Sequence, residues 1–343
     1  MAHELTLRAN GRAEMAFVGE TPWHGLGQQI TKGASIGVWA KEAGMDWTAE
    51  SGVPQVFIPA VDSVRGKPQL IEYEDHQAIW RSDNLKPLAI VGANYQKVQP
   101  REVLEFFRDL TEQGGWHIHT AGTLRGGRKL WAMASNGESA KIGGKDEVMQ
   151  NLLLATSLDG SMRTVAAPTA IRVVCANTLA YALEDNEKAL RISHRSVFDP
   201  EAVKRTLGVA QNSFAAYVER AREMADTPIN MEEARVLLAA IFAPPKEKDV
   251  KKPDLSWMGG LMDLGKPVDD PDNRIVATIL DLFDGGGMGA NMKTAKGTRW
   301  GLLNAVTEHV DHSMGRTDDT RLDSAWFGRG DAFKRQAFEA LVV

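Results

Sequence analysis

Two hydrophobic periods divide this sequence, and that division limits its fold more than any single motif. From about residue 46 to 99 the apolar residues come in short runs: "DWTAESGVPQVFIP", "QLIEYED", "QAIWRSD" and "PLAIVGANYQKV". These runs are rich in β-branched and aromatic residues and are separated by Gly, Pro, Asn and Asp, which predicts antiparallel strands and hairpins. The run "WHIHTAGTLRGGRKLWAMASN" continues the pattern, and its "LRGGRK" centre is a hairpin turn whose glycines supply positive φ. "EVMQNLLLATSLDG" adds a strand, and "TVAAPTAIRVVCANTLAYAL" reads as a strand passing into a helix.

Helical spacing interrupts this pattern early in the chain and replaces it from residue 200 onward. Ser35 caps a short helix within 33–45. Pro100 opens a helix over 100–114, with Val103, Leu104, Phe107 and Leu110 on one face and Gly114 or Gly115 ending it. Long apolar stripes then predict helices over 200–225, 230–242, 272–284 and 299–314, and a last one in "GDAFKRQAFEALV". Asn230 and Glu233 are spaced as a capping box. Segregated strands and helices predict an α+β fold, not the alternating βαβ order of a dinucleotide-binding sheet. The expected organisation is an α+β domain over 1–199 carrying the basic hairpin and a mainly helical region over 200–343. The Pro-rich, charged stretch 243–260 is expected to be a mobile segment.

Composition excludes several classes. No apolar run approaches the roughly 20 residues a spanning helix needs, and the N-terminal stretch lacks the apolar core of a secretory signal. Cys175 is the only cysteine, so neither an internal disulfide nor a Cys-based zinc cluster can form within the chain. Its setting in "RVVCANTL" predicts an inert buried thiol. These features predict a cytoplasmic protein. The net charge of −5 argues against a surface that coats nucleic acid everywhere, but a local basic groove is compatible with it.

Four stretches invite a chemical reading. "DGGGMGANMKTAKGTRWG" (284–301) looks like a phosphate loop, yet Met292 stands where a P-loop needs its second glycine, and a helix precedes it where a strand should. Its cations Lys293, Lys296 and Arg299 remain candidates for a partner or a phosphate backbone. In "NAVTEHVDH", a helix would put Glu308, Asp311 and His312 on one face, a possible metal set opposed by a purely structural polar face. His24 in "PWHGLG" has no nucleophile or base that the sequence pairs with it. The fourth stretch is basic and aromatic. Arg125, Arg128 and Lys129 surround the hairpin turn, with Trp131 close by, and a second cluster holds Arg163, Arg172, Lys188, Arg191, His194, Arg195, Lys204 and Arg205. Cations that track phosphates beside rings that stack on bases are the ingredients of single-strand binding.

"TPWHGLG", "SLDGSMRTVAAPTAIRVVCANTL" and "GTRWGLLNAVTEHVDH" together resemble the phage/plasmid-like family of laterally transferred proteins, long filed as a domain of unknown function. The resemblance implies a phage, prophage or plasmid origin and a bacterial host cell, and it brings no catalytic residues. The order of strands, helix, strands and basic hairpin is also remotely similar to phage single-strand annealing proteins of the Erf and Red-beta type. That likeness implies rings or filaments that bind single-stranded DNA without a nucleotide or other cofactor. The reading is therefore a mobile-element DNA-binding protein, not an enzyme, that anneals single strands in recombination or replication. Arg125, Arg128, Lys129, Arg163 and Arg172 are expected on phosphates and Trp131 on a base. A protein-interaction factor such as a host-defence inhibitor, anchored by Trp257 and Met258, is the alternative. A metal-dependent enzyme using Glu308, Asp311 and His312, with His24 as a further candidate, is the other.

Overall fold

A computed structural model describes residues 5–8, 10–19, 26–59, 68–172, 177–180, 190–201, 203, 211–242, 271–314, 324–326 and 328–342. His24, Cys175, Lys188, Lys204, Arg205 and the expected mobile segment 243–260 lie outside the described residues. The fold is α+β with antiparallel sheets, and the second half is mostly helical among the described residues.

Four long strands form the spine. They are β8 (His117–Leu124), β9 (Lys129–Gly143), β10 (Asp146–Ser157) and β11 (Thr164–Arg172), each antiparallel to the next. On one side β1 (Met15–Phe17) pairs with β8, and β2 (Gln28–Gln29) joins it in parallel. On the other side β12 (Asn177–Ala180) and β13 (Leu190–Ile192) both pair with β11. Asn177–Ala180 thus continues the sheet, where the sequence pattern predicts the start of a helix. The reason is tertiary: β11 offers an open edge, and pairing with it satisfies backbone groups that a local period does not reveal.

Side-chain alternation gives the main sheet two different faces. Leu130, Ala132, Ala134, Leu152 and Leu154 face a core completed by α1 (Ile36–Ala43) and α2 (Pro100–Gly114). Trp131, Met133, Leu153 and Ala155 face the opposite way, under Leu5, Ala13 and Trp326. The helix starts follow their sequence signals. Ser35 Oγ accepts from the Val38 amide at 3.4 Å, and Glu102 accepts from the Gln99 amide at 2.6 Å.

The strands β3 (Ala49–Gly52), β6 (His76–Arg81) and β7 (Pro87–Gly92) form a small sheet beside this spine. A buried ion pair joins the two sheets. Arg81 (2% exposed) donates to both carboxylate oxygens of Glu14 (3% exposed), at 2.8 and 2.9 Å. The same guanidinium sits 4.4 Å over the Trp47 ring and donates to Asp83 at 2.8 and 2.9 Å. Thr123 of β8 donates to Glu14 at 2.5 Å. Burial lowers the Arg81 pKa, and the hydrogen bonds from Glu14 and Asp83 outweigh that and raise it.

The helices α3 (Gln211–Asp226), α4 (Met231–Phe242), α5 (Pro271–Asp281), α6 (Arg299–Glu308) and α7 (Arg329–Leu341) share one apolar core with the far end of β9 and β10, through Ile142 and Val148. Every residue from Trp300 to Glu308 is buried, so α6 is the central helix. The Asn230 box forms as spaced: its Oδ1 accepts from the Glu233 amide at 2.9 Å, and Glu233 accepts from the Asn230 amide at 3.0 Å.

Glu14→Gln leaves Arg81 buried with only Asp83 as an anionic partner. We expect it to destabilise the fold by about 3 kcal/mol, near the low end for breaking a buried pair. Asp83→Asn, which alters the more exposed partner, is expected to cost about 1 kcal/mol. Urea unfolding of both variants measures the difference. His119 yields a second expectation. Its Nε2 is buried without a hydrogen-bond partner, and desolvation lowers its pKa from 6.5 to about 4. Protons then bind the unfolded chain before the folded one, so this contribution to stability is full above about pH 6.5 and is lost as pH falls toward 4. Unfolding curves at pH 7 and 4.5 are expected to differ by on the order of 2–3 kcal/mol more for the wild type than for His119→Gln.

Candidate nucleic-acid interface

In an antiparallel meander the first and third turns lie at the same end. The β8–β9 turn carries Arg125 and Arg128, and the β10–β11 turn ends in Arg163, so topology brings these three to one end of the main sheet. A backbone bond from the Leu158 amide to the Arg128 carbonyl, at 2.7 Å, ties the two turns together. The β13 strand delivers a fourth cation. Thr164 is paired with Ile192, so the segment after β13, with His194 and Arg195, lies beside Arg163.

The hairpin turn works as its "LRGGRK" sequence predicts. Arg125, Gly126 and Gly127 all have positive φ, at 54, 74 and 97°. Gly127 is also required for space, because a Cβ there would stand 2.9 Å from the Trp47 ring. The tight turn leaves Arg125 and Arg128 exposed.

A cleft of about 1010 Å3 opens at this end, between the segment following β7, the β10–β11 turn and the segment following β13. Arg163 and Arg195 line it and are exposed. Among the described residues, the side chains of Arg128, Arg163 and Arg195 make no ion pair or hydrogen bond. The walls are held by backbone. His194 Nδ1 lies 2.9 Å from the Gln96 carbonyl, and its Nε2 lies 3.0 Å from the Met162 carbonyl. Tyr95 stacks on His194 with centroids 4.4 Å apart and donates to the Ser157 carbonyl at 2.9 Å. Burial pushes the Tyr95 hydroxyl pKa up. Asp159 is occupied in the turn, accepting from the Ser161 amide at 3.0 Å, while Asp75 is the acid on the cleft wall.

Other residues expected in the site lie elsewhere. Lys129 is 5% exposed and Trp131 is 1% exposed. Trp131 packs edge-on against Trp326 at 4.8 Å, so its ring is not open to a base. Alternation explains this. Trp131 points to the covered face of a sheet whose two faces are both occupied. Arg172 sits at the far end of β11, paired with Val148 and Asn177. That is nearly 30 Å along the strand from Arg163, at about 3.3 Å per residue. Tyr95 and Gln96 carried no signal of their own. The β11–β13 pairing places the residues that meet them.

The glycine-rich loop has a structural explanation. Thr294, the residue a phosphate loop would turn to its ligand, donates to Asp146 at 2.7 Å, and Trp300 Nε1 donates to the same oxygen at 3.0 Å. Asp146 is fully buried at the start of β10. Glu308 accepts from the Met288 amide at 2.9 and 3.1 Å. Lys293 and Lys296 remain exposed. Past Glu308 the helix widens into a π-type turn, His309–Ser313, which spoils the expected i, i+3, i+4 face. Asp311 is instead paired at 2.8 Å with buried Lys334, and His312 is half-buried. Among the described residues no group of three His, Cys, Asp or Glu side chains could hold a metal ion.

Asp146→Ala removes the shared acceptor of Thr294 and Trp300 and leaves a buried indole N–H unpaired. We expect it to cost about 2–4 kcal/mol, against about 1 kcal/mol for Thr294→Val, as read by thermal or urea unfolding.

No helix among the described residues is long and apolar enough to cross a membrane. No curated protein and no solved structure matches the chain. A family model matches residues 87–326, which include most of the cleft, all four of these arginines and the glycine-rich loop, and the chain therefore belongs to the family described as Domain of unknown function (DUF932).

Proposed function

We propose that this chain is a DNA-binding protein of a mobile element that holds single-stranded DNA along the basic end of its main sheet and supports annealing. The observation that carries the reading is the convergence of Arg128, Arg163 and Arg195, exposed and without a side-chain partner among the described residues, on one end of the sheet beside an open cleft. Arg125 extends the same rim. Phosphates are the natural partners of exposed guanidinium groups held on a fixed frame. The Tyr95–His194 pair takes over the stacking role first expected of Trp131, because these rings border the cleft. Annealing needs no bond made or broken by the protein. It needs strands held by their backbones with bases left exposed. A phage or plasmid origin rests on the motif resemblance, and the single-strand annealing role on the likeness in element order to phage annealing proteins.

Fluorescence anisotropy with a labelled 30-nucleotide strand at 50 and 200 mM salt tests the proposal. Neutralising three phosphates is expected to give a log–log salt slope near −2, and each Arg→Ala change at 128, 163 or 195 is expected to flatten it by about 0.7. The double variant Arg163→Ala/Arg195→Ala is expected to bind at least tenfold more weakly while unfolding like the wild type. Salt-indifferent binding, no binding, or an unchanged double variant would exclude this site.

A further inference from the structure

Among the described residues, the strands β4 (Gln55–Ile58) and β5 (Gln69–Glu72) pair only with each other, as a two-stranded antiparallel ribbon. All eight of their residues are exposed. Val53, Val56, Phe57, Ile58, Leu70, Ile71 and Tyr73 are between 42% and 63% exposed, and none belongs to any of the three cores. Apolar residues occupy both faces of the ribbon. Val56 is opposite Ile71 on one face, and Phe57 is opposite Leu70 on the other. A hairpin alone in water is marginal, and this one exposes apolar surface where a solvated ribbon would carry polar residues.

The edges point the same way. Exposed edge strands are ordinarily protected by charges or inward-facing lysines. Between Val53 and Pro59, and between Gln69 and Tyr73, the only charge is Glu72, which accepts from Gln55 at 3.4 Å. The paired strands themselves hold no cation for a phosphate backbone or an anionic membrane surface; Arg65 and Lys67 stand in the connection between them, outside the described residues. The chemistry of the strands fits another uncharged apolar surface, and the ribbon of a second copy is one. Each copy offers on the order of several hundred Å2 of apolar surface. Pairing about a two-fold axis buries one apolar face from each copy at once, the small interface of a reversible dimer.

We propose that the β4–β5 ribbon is a self-association surface through which two copies of this chain pair, ribbon against ribbon. The proposal does not rest on DNA binding, so its test uses the full chain without DNA. Sedimentation equilibrium from about 1 to 100 µM is expected to show a reversible dimer or a larger assembly built on it. Phe57→Glu/Ile71→Glu, with one charge on each face, is expected to weaken association at least 100-fold while leaving the melting temperature and the affinity for a short oligonucleotide unchanged. If the glutamates prevent folding, Phe57→Ser/Ile71→Ser serves in their place. A wild type that stays monomeric at the highest concentration overturns the proposal, and so does a folded double variant that associates as before. A monomeric wild type that floats with uncharged vesicles, and loses flotation in the double variant, would assign the ribbon to a lipid surface instead.

Discussion

The Glu14–Arg81 pair is the point on which the first half of the molecule depends. Glu14 leads into β1, next to the edge strand β2 of the main sheet, and Arg81 ends β6 in the small sheet. With both groups almost fully buried, neither charge can be left alone without a large desolvation cost. Their neighbours are fitted around them. Trp47 covers the guanidinium, Thr123 adds a hydrogen bond, and Gly44 and Gly127 leave room where a Cβ would collide with Glu14 and Trp47. The pair thus sets how the small sheet meets the β8–β9 turn, and that turn carries Arg125 and Arg128. A buried electrostatic contact therefore fixes where exposed cations sit.

Asp146 plays the matching part between sheet and helices. It lies at the β9–β10 end, opposite the basic end, and fastens both the glycine-rich loop and the first turn of α6. The two ends of the long strands thus have different work. One end is locked into the helical core by a buried carboxylate, and the other is left open and cationic. The acidic net charge of −5 does not conflict with this, because a phosphate responds to the local field of a few guanidinium groups and not to the chain total.

Much of this was legible in the residues. Helix starts at Ser35, Pro100 and Asn230 could be read because capping is local chemistry, completed within a few residues. The "LRGGRK" turn could be read because positive φ selects glycine. At 284–301, Met292 and the preceding helix both argued against a phosphate loop, and Thr294 is engaged by Asp146. What could not be read was everything set by pairing across the chain. Trp131 belonged to a strand whose two faces are both covered, and alternation alone does not say which face meets solvent. Arg163 and Arg172 were neighbours in composition but stand at opposite ends of one strand. The Glu308–His312 spacing assumed an unbroken helix, and the helix widens at His309 so that Asp311 can meet Lys334.

The same distinction explains why the β4–β5 ribbon reads from sequence as an ordinary hairpin. Its strands have the right residues, lengths and turn-forming boundaries, so local signals are satisfied. Its abnormality appears only in the fold, where no core takes up either face. Among the described residues this strand pair obeys every local rule and still packs against no core. In the proposed pairing a second copy supplies that contact, since burial of apolar surface is the main term that would hold such a ribbon in one conformation.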